Sequence, residues 1–336
     1  MLVFMDSFDH YATADVLKKW NSYDNAGNQG ISSGNGRRGT NSWRMTAGRS
    51  LDKTVPSLST YVVGFAVKLS TFVTQQSILE FLETGTVHIG LEVNPDGTLV
   101  INRGTSTTLE TSAFALSAGS YAYIEVKVTV HDSTGAYEVR VNGANIMSDS
   151  GVDTRNGLTG VITAIRLTSM NTVDVDFDDF YICDTTGSAN NDFLGDVRCD
   201  AYFPNGNGNS SDLVGSDANS TDNYLLVDDT APDGDTTYVE SDNAGDHDTY
   251  TFGNMAHTPA SIFGVQVVMD AKKDDAGSRS IASVTRSGGA DTDGVTQALS
   301  TSYLMYREIL EEDPDTSAAW IKAGFDAAEF GVKVAA

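Results

Sequence analysis

The chain has 336 residues, with 46 acidic against 21 basic side chains and a formal net charge of −25. Such acidity excludes recognition of DNA or RNA by phosphate neutralisation; it suits solubility, a basic partner or bound cations. The length allows a sizeable core and two domains.

The first five residues, Met1 to Met5, are apolar but carry no basic flank, and no later apolar run is long enough to span a bilayer. The expectation is a protein without a signal peptide or membrane segment, made and assembled in a cytoplasm. Charge is unevenly spread: residues 1–187 hold 13 basic and 20 acidic side chains (−7), and the remainder hold 8 and 26 (−18). The two cysteines, Cys183 and Cys199, lie sixteen apart and outside metal-ligand spacing, which leaves two thiols or one disulfide.

In chain order, a helical turn is predicted at 14–20, then strands at 43–47, 61–69, 77–82, 87–93 and 98–102, with Pro95-Asp96-Gly97 as a hairpin turn. The clearest stretch is 121–143. Tyr123, Glu125, Lys127 and Thr129 alternate with Ile124, Val126, Val128 and Val130. Tyr137, Val139 and Val141 resume the alternation after a polar turn at 131–135, and Asn142-Gly143 turns the chain again. One apolar and one wet face require a second sheet as cover. Further strands at 161–168 and 173–183 complete an all-β pattern.

Composition changes after Gly187. Small polar residues open a linker at 188–195, 193–203 reads as a short ordered strand region, and 205–229 as a long exposed loop. Order returns in strands at 236–239, 248–252, 261–271, 278–287, 300–308 and 329–334, with a short helix at 317–325. The runs around Val267 and Ala282 read as a hairpin closed at 272–277. The domains expected are thus 1–187, an N-terminal jelly-roll sandwich, and 196–336, an acidic β-sandwich-like domain.

Several side-chain groups invite a chemical reading. Asp174, Asp176 and Asp178 alternate on one face of a strand: a row for Ca²⁺, or a solvated edge whose like charges discourage pairing. The loop carboxylates Asp233, Asp235, Asp246 and Asp248 make a Ca²⁺ set or ordinary Asx turns; no EF-hand spacing is present and no cofactor is required. Asp274, Asp275 and Arg279 make an intersubunit contact or a local salt bridge at a turn. A retaining glycosidase needs two carboxylates about 5 Å apart. Glu80 and Glu83, three apart on a strand, point to opposite faces. None of the five histidines falls in a nucleophile triad pattern. Trp20, Trp43 and Trp320 read as core residues.

The run 5–9, the strand 61–67, the hairpin 124–143 and the segment Asp176-Phe177-Asp178-Asp179-Phe180-Tyr181-Ile182 resemble a concanavalin A-like, laminin-G-type jelly roll. In the second half, Gly195 to Arg198, Pro232 to Val239, Lys273 to Arg279, Ser300 to Tyr303, Asp313 to Thr316 and Ala328 to Val332 resemble a module common in tailed-bacteriophage structural proteins. The resemblance implies a virion component, a tail appendage or head-decoration protein that is not an enzyme and contributes to host attachment. Its partners would be other virion proteins, further copies of itself in a trimer, and a host surface glycan. The alternatives are a lectin-type carbohydrate-binding module and, more remotely, a glycoside hydrolase.

Overall fold

A computed structural model describes residues 1–24, 27–169 and 173–336. The protein is nearly all β, as its alternating pattern requires. It divides into two compact units: Met1–Asp9 with Trp20–Asp200, and His10–Lys19 with Ala201–Ala336. Where the sequence predicts a linker, residues 188–195 therefore belong with the first unit, and a short N-terminal excursion belongs with the second.

The first unit contains β1 (Leu2–Asp6), β2 (Ser22–Tyr23), β3 (Gln29–Ser32), β4 (Ser42–Met45), β5 (Arg49–Leu58), β6 (Thr60–Leu69), β7 (Gln76–Glu83), β8 (Thr86–Val93), β9 (Thr98–Arg103), β10 (Thr107–Ala115), β11 (Ala122–Thr129), β12 (Gly135–Val141), β13 (Ala144–Val152), β14 (Ile162–Ser169) and β15 (Val175–Asp184). One sheet runs β13-β12-β11-β6-β15-β4-β3, with β1 also paired to β15. The other runs β10-β9-β8-β7-β14-β5-β2. Ile124, Val126, Val128, Phe65 and Phe177 from the first sheet, and Leu79, Phe81, Ile89 and Ile165 from the second, are completely buried. This is the sandwich core.

The predicted hairpins appear where the turn chemistry demands them. Gly97 takes φ +84° between β8 and β9, with Asn94 N–H donating to the Thr98 carbonyl at 2.9 Å. Asn142 and Gly143 both have positive φ, the type I′ pattern that suits a tight antiparallel turn. The β11–β12 register sets Ile124 opposite Val141, Glu125 opposite Arg140 and Lys127 opposite Glu138.

In the second unit a sheet is built in the order Pro204–Ser211, His247–Phe252, Glu329–Val334, Ser280–Ser287 and Ala290–Asp293. Two predictions are corrected here. Residues 204–211 form an edge strand rather than a loop, paired with His247–Phe252, and Gly206 and Gly208 lie against Thr251 and Thr249 respectively, where a Cβ would overlap. The predicted hairpin around 272–277 does not form. Val265–Ala271 pairs instead with Leu304–Leu310, and Ser280–Ser287 with Glu329–Val334. Val265, Val267 and Met269 share one core cluster with Ile281, Tyr306, Trp320 and Phe330, so the two runs contribute to a common core without bonding side by side. The short helix is Lys322–Ala327, slightly later than predicted.

Glu80 and Glu83 diverge as expected for positions three apart. Glu80 meets Arg166 at 3.3 Å. Glu83 is buried and accepts bonds from the backbone N–H groups of Thr159, Gly160 and Val161, from the Thr159 hydroxyl and from His88 Nε2 at 2.9 Å. His88 Nδ1 accepts the Asn156 N–H, so its proton sits on Nε2 and points at Glu83. Burial acts to raise the Glu83 carboxyl, but these donors outweigh it and hold the group at about 2. Glu83 is a structural anchor. Glu83→Gln should lower stability at pH 7 by about 2 kcal/mol. Because the folded pKa is depressed, that deficit should shrink as pH falls from 4.5 toward 2; urea unfolding at pH 7 and pH 3 checks both.

Candidate functional site

The chemistry of the first unit gathers on the outer face of the β13-to-β3 sheet. Registers place its side chains in cross-strand rows. Lys127, Glu138 and Ser148 form one row across β11, β12 and β13; Thr129, Ala136 and Ser150 form the next. Together they line an open depression of about 410 Å³. Arg140 lies beside it, bonded to Glu138 at 2.6 Å, with its guanidinium 3.9 Å from the centroid of the Phe193 ring.

A second row runs Glu125, Gly64, Tyr181 across β11, β6 and β15. A Cβ on Gly64 would overlap the Tyr181 ring. Glycine at this position therefore lets Tyr181 lean over β6 and donate its hydroxyl to Glu125 Oε1 at 2.5 Å. Burial first, then the charge of Glu125, pushes the Tyr181 phenol well up, so it remains a donor. Tyr123 is likewise buried, with its hydroxyl on the Asp179 carbonyl at 3.1 Å and Arg37 over its ring.

The predicted wet face is thus partly covered. Tyr123 and Glu125 are 0% and 1% exposed because residues 192–199 run back across them without helix or strand structure. Leu194 N–H donates to the Tyr181 hydroxyl at 3.1 Å and Gly195 N–H to Glu125 Oε1 at 2.8 Å. Periodicity along β11 cannot reveal a segment seventy residues away, and the sequence reads 193–203 as a short strand region, whereas the chain there forms neither helix nor strand.

The row of Asp174, Asp176 and Asp178 is also corrected. It is not a solvated edge, for β15 is central and Asp176 and Asp178 are buried. Asp176 takes Arg44 at 2.8 and 2.9 Å, Ser42 at 3.0 Å and Lys68 at 3.3 Å. Between Asp178 and Tyr181 the register shifts, with Asp179 at φ +49°. This bulge turns Asp178 toward the Arg37 N–H at 2.7 Å, and Asp179 toward Arg38 at 2.8 Å and Arg37 at 3.3 Å. Burial and then the Asp179 charge push Asp178 up to about 8. Asp9, which accepts the Asn41 N–H at 2.7 Å, is pushed up by burial to about 6.

The other candidates do not converge. Asp233 accepts from Thr237, Asp235 holds Lys272 at 2.6 Å and Tyr303 at 2.9 Å, and Asp246 binds Ser241. Asp248 is buried against Asn223, Tyr250 and the Leu213 N–H. Among the described residues no three carboxylate, histidine or cysteine side chains are grouped to hold a metal ion. Arg279 pairs with Asp275 at 2.8 Å within its own turn. Cys183 and Cys199 are both thiols.

No family model matches the chain, and no curated protein matches it. Among solved structures, it is similar to the endo-β-1,4-glucuronan lyase of the fungus Trichoderma reesei, at TM-score 0.45 and 14% identity over 54% of this chain and 95% of that one. The alginate lyase Aly36B gives TM-score 0.40 and 12% identity over 53% and 95%. A Trypanosoma rangeli sialidase mutant gives TM-score 0.34 and 13% identity over 46% and 27%. These likenesses speak of fold alone. The expectation of a protein that is not an enzyme is withdrawn, since two of the chains it resembles are named as lyases.

Asp9 offers a test of the buried cluster. Its folded pKa is raised, so the unfolded chain releases its proton first and stability falls as pH rises from about 4 to 6. Asp9→Asn keeps an oxygen for Asn41 and removes the charge. The variant should gain on wild type by about 2 kcal/mol between pH 4 and pH 7, read from paired urea titrations.

Proposed function

We propose that the first unit is a carbohydrate-binding module whose site is the open depression on β11, β12 and β13. The observation that carries this reading is the Lys127–Glu138–Ser148 row with Thr129 and Ser150 beside it. Charged and hydroxyl groups alternate on rigid strands, open to solvent and next to the Phe193–Arg140 stack. Sugar hydroxyls both donate and accept, so a shallow face of mixed donors and acceptors suits them, and strands hold such groups more accurately than loops do. The setting proposed is the one implied by the second half's resemblance, a virion surface, where repeated copies turn weak sites into firm attachment.

A glycan array with the full chain tests the reading, followed by calorimetry on the best oligosaccharide. Glu138→Ala and Ser148→Ala should each weaken binding by about fivefold to tenfold. An array without signal, or binding indifferent to both changes, would overturn the assignment. Incubating the same oligosaccharide with the protein and following its chain length shows whether binding leads to turnover.

A further inference from the structure

Residues 192–199 close over the part of the face that carries its most chemically distinctive groups. The fastening is of three kinds: backbone contacts, ionic contacts, and the Phe193 ring against Arg140 at 3.9 Å, with Arg37 also donating to the Val197 carbonyl at 3.1 Å. Backbone N–H groups of Leu194, Gly195 and Cys199 donate to Tyr181, Glu125 and Asp179 at 3.1, 2.8 and 2.8 Å. Carboxylates of the segment meet cations of the face: Asp192 on Lys127 at 3.0 Å and Asp196 on Arg37 at 2.5 Å. Both of these pairs are partly exposed, and such pairs hold only weakly in water. Beneath them, the fit is incomplete. Glu125 is 1% exposed, yet its Oε2 has no hydrogen-bond partner among the described residues. Such a buried acceptor is costly, and a ligand hydroxyl would satisfy it.

We propose that residues 192–199 form a displaceable strap, an internal stand-in for an anionic polymer, and that an acidic polysaccharide competes with it for Lys127 and Arg37. This rests on the carbohydrate-binding reading and extends that site from the open depression onto the Glu125–Tyr181 row. The strap presents two acidic side chains flanking a backbone stretch that satisfies Tyr181 and one Glu125 oxygen. A uronate chain offers the same elements, carboxylates for the cations and hydroxyls for Glu125. Releasing the strap would uncover Tyr181 and Glu125 on the outer face and leave in place the core between the sheets, where Ile124, Val126 and Val128 point the other way.

The test uses the full chain and the Asp192→Asn/Asp196→Asn double variant, with oligogalacturonate as the acidic probe and cello-oligosaccharide as the neutral one. Hydrogen exchange at the amides of Leu194, Gly195 and Cys199 should rise about tenfold in the variant, while global stability in urea falls by no more than the matching loss of about 1.4 kcal/mol. Oligogalacturonate should bind the variant about tenfold more tightly than wild type, and it should speed exchange of the same amides in wild type; the neutral probe should do neither. Unchanged exchange in the variant would overturn the strap. Faster exchange with oligogalacturonate bound equally by both proteins would also overturn it, while leaving the open glycan site standing. Faster exchange with no glycan bound by either protein would overturn both the strap's role and the carbohydrate reading. Phe193→Ala provides an independent release, since it removes the ring under Arg140, and it must shift exchange and affinity in the same direction.

Discussion

Carboxylates buried on the central strand β15 set the terms for the first unit. Asp176, Asp178 and Asp179 lie within a strand every residue of which is buried, and an unpaired charge there would cost several kcal/mol. Arg44 and Lys68 reach Asp176 from the neighbouring strands; Arg37 and Arg38 reach Asp179 from the 33–41 loop. The loop is therefore held over the face by electrostatics. Backbone N–H groups, which only a proline substitution would remove, complete the bonding of Asp178.

The bulge that follows from this arrangement gives β15 two different neighbours on one side. β4 pairs with 175–177 and β1 with 180–183. The same irregularity aims Tyr181 across Gly64 to Glu125, creating the platform on which residues 192–199 settle. A packing requirement at one strand thus propagates to a polar face two strands away. Raised carboxyl pKa values at Asp9 and Asp178 are the electrostatic signature of the same crowding.

The open and covered halves of the face differ in kind. The β11–β13 half is flat, hydrated and built from cross-strand rows, with its charges paired locally, as Glu138 and Arg140 are. The half over β6 and β15 is drier, with phenols and a carboxylate that water does not reach. A ligand reaches the first half without rearrangement; use of the second requires the chain to vacate it. Weak, partly exposed ion pairs at both ends and few backbone bonds between them make that exchange energetically accessible.

Local alternation made the sandwich legible from sequence: period two in 121–141, Asn142-Gly143 and Pro95-Asp96-Gly97 each decide their own neighbourhood, because turn geometry and side-chain direction are properties of adjacent residues. Partner choice was not legible. Val265–Ala271 and Ser280–Ser287 carry equally good strand patterns, and only the shared core shows that they pair with other strands. The candidate site was half legible: Glu125, Lys127 and Thr129 could be assigned to one face, but not the cover over Glu125, nor the central position that buries Asp176 and Asp178 where a solvated edge was expected. Burial and charge pairing depend on contacts between residues far apart in sequence, and a one-dimensional pattern holds no record of which distant segment comes to lie on a given face. Composition and alternation determined that this chain is β and two-faced; tertiary structure alone decided which face is wet, which carboxylates are buried and what rests upon them.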